Sequence, residues 1–251
     1  MRYASLGSGS KGNATLVESG DSCVMIDCGF NHKQTVSRLQ QAGKTAEDIT
    51  AICLTHEHGD HVAGAKLFSK RYGTPVYMTK GTAEALKDIA TQVLIEAGEV
   101  LCFGEMALTG VAVSHDAREP CQYVVEEKGK RLGVLTDIGF ACEAVLKAYQ
   151  GCDALILEAN YDDALLEEGY YPESVKARIA GDGGHLSNEQ SLGLLKALGF
   201  NKPHALSIAH VSEKNNCREA IISLFRQHFG EDVEKMDFIC QQNGMQWRTL
   251  A

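Results

Sequence analysis

The segment Thr55-His56-Glu57-His58-Gly59-Asp60-His61 gathers three imidazoles and two carboxylates into one short stretch. Imidazole nitrogen and carboxylate oxygen suit divalent zinc, manganese or iron. In an extended turn His56 and His58 project to the same side and can share one ion, whereas Asp60 and His61 turn onward and can reach a second. Asp60, at the entrance of a helical pattern, can also cap the turn that follows.

One short loop cannot complete two coordination shells, so further His, Asp or Glu residues are required downstream. His115, Asp137 and His210 each end an apolar, strand-like run, where a loop leaves a rigid edge. Asp137 is a candidate bridging carboxylate, since one carboxylate can join two ions. Asp27, ending the run Val24 to Ile26, can instead orient a ligand imidazole or serve as a turn aspartate. His32, His204 and His228 lack partners at ligand spacing and read as structural or surface residues.

The elements that must position these groups are strand-like runs bounded by turn residues: Ala14 to Val17, Val24 to Ile26, Ala51 to Leu54, Val76 to Met78, Val111 to Val113, Gln122 to Val125, Arg131 to Leu135, Ala154 to Leu157 and Ala205 to Ala209. Helical patterns fall around His32 to Ala42, His61 to Arg71, Thr82 to Ile89, Ala141 to Tyr149, Asn188 to Leu198 and Asn216 to Phe229. Ser187 with Gln190, and Asn216 with Glu219, predict helix entrances; Gly73, Gly199 and Gly230 predict helix ends. The chain is therefore α/β, and without linker or repeat it is expected to form one domain over residues 1–251.

With 44% hydrophobic and 23% charged residues the composition is that of a globular protein. A net charge of −9 opposes a broad basic nucleic-acid surface, though not a local one. The turn Lys128, Lys130 and Arg131 reads as solvated surface. Nine cysteines without a C-x-x-C pair predict reduced thiols, mostly in the core. No apolar run is long enough to span a membrane and no signal-peptide pattern opens the chain, so a cytoplasmic location is expected. The stretch Gly7-Ser8-Gly9-Ser10-Lys11-Gly12-Asn13 lacks the Walker pattern and predicts a tight hairpin, with Ser8, Ser10 and Asn13 as weak substrate-binding candidates.

The T-H-E-H-G-D-H segment with these later His and Asp positions resembles the H-x-H-x-D-H signature of the metallo-β-lactamase superfamily. Within it the chain is most similar to the YycJ (WalJ) group, through Gly7 to Asn13, Ser114-His115-Asp116, Thr136-Asp137-Ile138-Gly139, Gly184-His185-Leu186-Ser187-Asn188 and Ala209 to Asn216. The resemblance implies a four-layer αββα sandwich of two mixed β-sheets flanked by helices. It assigns His56, His58, His115 and Asp137 to one metal, and Asp60, His61, Asp137 and His210 to the other. It also extends to nucleic-acid-processing enzymes such as ribonuclease J, whose late acidic and histidine motifs would here be Glu158, His185 and His210. Where the group reads E-S-N-H-D this chain reads Glu158-Ala159-Asn160-Tyr161-Asp162. Tyr161 can hydrogen-bond a phosphate but cannot replace a histidine ligand.

Two ions, Zn or Mn with Fe as a further option, would lower the pKa of a bridging water and neutralise charge during attack. His185, ahead of a capped helix, is the candidate proton donor, with Asp60 the other candidate catalytic residue, Glu158 in a supporting role and Ser187 a weak substrate contact. The leading expectation is a phosphodiesterase or nuclease, in particular a 5′-to-3′ exonuclease on DNA. The rivals are a small-molecule thioester or lactone hydrolase, marked by a narrow neutral pocket, and a metal-dependent binding or regulatory protein without turnover.

Overall fold

A computed structural model of the chain describes residues 1–250. In chain order the strands are β1 (Arg2–Gly7), β2 (Ala14–Ser19), β3 (Ser22–Ile26), β4 (Ala51–Cys53), β5 (Val76–Thr79), β6 (Gln92–Ile95), β7 (Val100–Phe103), β8 (Met106–Ala112), β9 (Cys121–Glu127), β10 (Lys130–Leu135), β11 (Ala154–Glu158), β12 (Leu206–Ala209), β13 (Asp237–Phe238) and β14 (Met245–Thr249). The helices are α1 (His32–Gln41), α2 (Gly59–Val62), α3 (Ala65–Tyr72), α4 (Lys80–Ala85), α5 (Glu143–Tyr149), α6 (Asp163–Glu168), α7 (Glu173–Ala180), α8 (Asn188–Ala197) and α9 (Arg218–Phe229). The described residues group into two compact units. The first holds Met1–Ala112, Ala117–Lys130 and the stretch from Ile239; the second holds Val113–Asp116 and Arg131–Phe238.

In the first unit seven strands run in the order β14-β1-β2-β3-β4-β5-β6. The β14-β1-β2-β3 part is antiparallel and β3 to β6 are parallel. Strand β4 is buried throughout, which is why Ala51 to Leu54 reads as an unbroken apolar run rather than an alternating one. Leu16, Met25, Ile52, Leu54, Phe68 and Met78 form its core with Phe30 and Leu39. The unit also carries the antiparallel meander β7-β8-β9.

The second unit is built on parallel pairings of β10 with β11, β11 with β12, and β12 with β13. Parallel neighbours require crossovers, which α5 and the α6-to-α8 run supply. Leu155, Leu157, Leu192, Leu195, Ile208 and Phe225 are buried there. Helix α8 starts with a complete capping box: Gln190 N–H donates to the Ser187 hydroxyl and the Gln190 side chain accepts from Ser187 N–H. Ser187→Ala is expected to remove about 1 kcal/mol, lowering the thermal midpoint by ~2–4 °C. A calorimetric melt measures it, and an unchanged midpoint would contradict it.

Several local expectations are corrected. Helix α4 is shorter than the predicted Thr82 to Ile89 and the predicted His61 helix is split into α2 and α3. Asn216 does not cap α9. The residue at that entrance is Cys217, while the Asn216 amide exchanges hydrogen bonds with Asn188 and donates to Ala159 O. Asp60 lies inside α2 and supplies no side-chain cap. Gly73, by contrast, closes α3 at φ 71°, a left-handed conformation glycine adopts without strain. All nine cysteines are free thiols, but Cys102 and Cys217 are exposed rather than in the core. No helix of the described residues is long and apolar enough to cross a membrane.

Candidate functional site

Among the described residues five non-glycine residues adopt positive φ, and three of them, Asp27 (62°), Asp137 (54°) and His210 (50°), stand just beyond the C-terminal ends of β3, β10 and β12. Left-handed backbone is unfavourable for residues with a Cβ and persists where surrounding structure enforces it, commonly at functional sites. All three are buried.

In the first unit the Asp27 carboxylate is a hub. It accepts from Thr55 N–H at 2.8 Å, from the Thr55 hydroxyl at 2.9 and 3.0 Å, and faces His61 Nδ1 at 2.8 Å. A carboxylate at this distance favours the Nδ1–H tautomer of His61, the usual support of a metal-ligating imidazole, and leaves the Nε2 edge as the one a metal would use. Burial pushes the Asp27 carboxyl up, and His61 and Thr55 pull it back. Thr55 Oγ1 also lies 2.9 Å from His56 Nδ1. The His56 ring sits 4.5 Å from that of His58 and 4.1 Å from that of His61, so the three imidazoles converge. His56 and His61 are buried, and Asp60 and His58 are partly exposed.

The glycine-rich hairpin between β1 and β2 fastens this cluster. Asn13 Oδ1 accepts from Gly9 N–H at 2.8 Å, which fixes the amide orientation and points Nδ2 at His61 Nε2 (3.1 Å) and the Asp60 carboxylate (3.3 Å). The Ser8 hydroxyl donates to Asn13 Oδ1 at 3.0 Å. Ser8 and Asn13 are thus buried positioning residues rather than surface contacts, and only Ser10 is exposed. Gly29 lies against the same strut: a Cβ there would stand 1.7 Å from Asp60 O and 2.6 Å from Asn13 N. Gly29→Ala must displace both backbones, at about 1–3 kcal/mol. It is expected to lower the thermal midpoint and weaken Zn²⁺ affinity about tenfold, read by competition with a chromogenic chelator; wild-type affinity would refute it.

In the second unit Glu158, the last residue of β11, is fully buried. Oε2 accepts from Asp137 N–H at 3.0 Å and faces His185 Nδ1 at 3.2 Å; Oε1 accepts from Ile138 N–H at 3.1 Å and Leu186 N–H at 3.0 Å. Four donors approach this carboxylate, which therefore braces the strand-end backbone and the His185 ring. Asp137 Oδ1 faces three imidazole nitrogens: His210 Nε2 at 3.4 Å, His185 Nδ1 at 3.7 Å and His115 Nε2 at 4.0 Å. The donor atoms of Asp137, Glu158, His185 and His210 lie within 4.8 Å of one another. A buried carboxylate surrounded by imidazoles is a donor set that fits a divalent cation.

The remaining imidazole edges are held. Gly184 O lies 3.0 Å from His115 Nδ1, and Asn160 Nδ2 lies 3.1 Å from His210 Nδ1 and donates to His210 O at 2.8 Å. Burial draws His115 below its ordinary range, partly offset by Asp137, which favours the neutral ring a metal requires. His185 goes the other way: burial lowers it, but the hydrogen bond and charge of Glu158, then Asp137 and Asp116, push it up to about 9. In the metal-free chain that would keep a proton on the ring at neutral pH. Asp116 is itself held by Arg178 at 3.0 Å.

Thr55, Asn160, Asp116 and the Gly184 carbonyl were not given roles from sequence, although all four lie within or beside the motifs. Tyr161 and Ser187, expected as substrate contacts, are buried, bridged to each other through the backbone, with Ser187 committed to its cap. His32 packs on Tyr72 and His228 faces Phe200 O, in keeping with structural roles.

Two mixed sheets flanked by helices, with His and Asp clusters at strand ends, define a metallohydrolase-type α/β fold. The chain belongs to the metallo-β-lactamase superfamily, whose signature matches residues 7–210, and is a hydrolase of that superfamily. It is 30% identical over 244 residues to "Exodeoxyribonuclease YycJ" of Bacillus anthracis, covering 95% of this chain and 91% of that protein. It is 32% identical over 228 residues to "Exodeoxyribonuclease WalJ" of Streptococcus pneumoniae, covering 87% and 84%. Among solved structures, the metallo-β-lactamase fold protein YhfI from Bacillus subtilis superposes with a TM-score of 0.73 at 17% identity, covering 98% of each chain. That likeness establishes the fold.

Proposed function

We propose that this chain is a binuclear metal-dependent phosphodiesterase that removes nucleotides from DNA, with 5′-to-3′ polarity. The observation that carries the reading is the near full-length similarity to two proteins named exodeoxyribonucleases, in a chain whose strand-end His and Asp residues form metal-competent clusters. His56, His58, His115 and Asp137 would hold one ion, and Asp60, His61, Asp137 and His210 the other, with Zn or Mn as the candidates. When bound, the ions would supply Lewis acidity and activate water.

The chain's own residues supply the rest. Asp27, Thr55 and Asn160 would hold the ligand imidazoles in place, with Asn13 bracing the Asp60 backbone. His185, protonated and aimed by Glu158, would donate its proton to the departing oxygen of the phosphodiester. His185→Gln is expected to lower kcat on DNA about 10²- to 10⁴-fold while leaving metal content unchanged; loss of metal from this variant would instead make His185 a ligand.

The polarity is tested with single- and double-stranded DNA and RNA, labelled at either end, in Mn²⁺ or Zn²⁺. Stepwise release beginning at the 5′ end of DNA supports the reading. A metal-loaded protein that cleaves none of these strands, but hydrolyses a thioester or lactone, would overturn it.

A further inference from the structure

We propose that Tyr170, Tyr171 and Lys214 form a platform that binds single-stranded DNA, the tyrosines stacking on bases and the lysine contacting a backbone phosphate; this rests on the nuclease reading above. Tyr170 is 74% exposed, more than any other large hydrophobic side chain of the described residues. Its ring centroid lies 5.1 Å from that of Tyr171 with the planes 46° apart, so the pair presents two aromatic faces at different inclinations. Lys214 Nζ lies 5.0 and 5.2 Å from the two ring centroids. Adjacent aromatic faces with a cation alongside are what sequence-independent single-strand binding uses, because every base has a π-face and every nucleotide a phosphate.

The platform is anchored to the site rather than free-standing. Lys214 sits on the loop that begins at His210. That loop is pinned by Ser212 N–H to Asn160 O at 2.9 Å, by Lys214 and Asn215 N–H to the Ser212 hydroxyl at 3.3 and 3.1 Å, and by Asp162 N–H to Asn215 O at 2.8 Å. Asn160 also holds His210. The tyrosines follow Gly169, whose position beside Asn215 is so close that a Cβ would stand 3.0 Å from Asn215 Oδ1. The same few backbone bonds therefore set both the His210 ligand candidate and the platform. A ring left this exposed adds little to the core.

The test uses the full-length, Mn²⁺-loaded protein with three probes: oligo(dT) cleavage, fluorescence anisotropy with a phosphorothioate oligo(dT), and hydrolysis of bis(p-nitrophenyl) phosphate. Tyr170→Ala and Tyr171→Ala are expected to raise KM and Kd for the oligonucleotides about 10- to 100-fold, the loss of one or two stacked bases, with bis(p-nitrophenyl) phosphate hydrolysis unchanged. Tyr170→Phe keeps the face and should behave as wild type. Lys214→Ala should reduce the slope of log Kd against log salt by about 0.7, one phosphate contact on a single strand. Wild-type cleavage of oligo(dT) with unaltered KM and Kd in the alanine variants overturns the platform alone. A wild-type protein that hydrolyses the small diester but neither binds nor cleaves oligo(dT) overturns the nuclease reading and the platform together.

Discussion

Asp137→Asn is expected to reduce metal-dependent hydrolysis by about 10³-fold or more, while the metal-free variant melts within ~3 °C of wild type. The carboxylate is buried and one of its oxygens faces three imidazole nitrogens, a donor set that a divalent cation would fit. Asparagine preserves size and, like aspartate, tolerates the left-handed backbone at φ 54°, so the fold should persist. What disappears is one anionic ligand shared by two proposed ions. A loss of several kcal/mol of transition-state charge stabilisation corresponds to about three decades at ~1.4 kcal/mol each. Steady-state rates and metal content read the effect together; near wild-type turnover in Asp137→Asn would remove Asp137 from the metal site.

Glu158→Ala is expected to be strongly destabilising, lowering the thermal midpoint by roughly 10 °C. The alanine leaves three buried backbone N–H groups, those of Asp137, Ile138 and Leu186, without their acceptor and releases His185. Each such orphaned donor costs about 1–3 kcal/mol, and because the loop can relax, ~4–5 kcal/mol in total is expected. Glu158→Gln should fall between, since its amide offers one oxygen to donors that now use two. A midpoint lowered by less than ~3 °C would mean the strand ends are held by something other than this carboxylate.

The parts of the fold that were legible in the sequence are those whose burial is one-sided or complete. Strands β4, β11 and β12 are buried from end to end and read as apolar runs. Strands β6, β7 and β14 are half-exposed and carry little hydrophobic contrast, so Gln92–Ile95, Val100–Phe103 and Met245–Thr249 gave no signal. The short helices α6 and α7 were also missed; α7 has no buried residue at all. Of the site, residue type and strand-end position pointed to His56, His58, His61, His115, Asp137 and His210. The supports were less visible. Thr55 and Asn160 act through hydrogen bonds to one particular imidazole nitrogen, and Asn13 reaches His61 across 48 residues of sequence. No periodicity encodes such contacts. Asn216 shows the opposite failure: a residue type suited to a helix entrance was recruited to a buried amide pair with Asn188.

The central claim is that hydrolysis of DNA depends on two ions held by these residues. It is tested most directly by stripping the protein with a chelator and titrating Mn²⁺ back while nucleotide release from single-stranded DNA is followed, with His58→Ala run in parallel. The stripped protein should release nothing, the rate should climb until two ions are bound per chain, and His58→Ala should release nothing at the same metal concentrations. Release by the stripped protein, or wild-type release by His58→Ala, would contradict it.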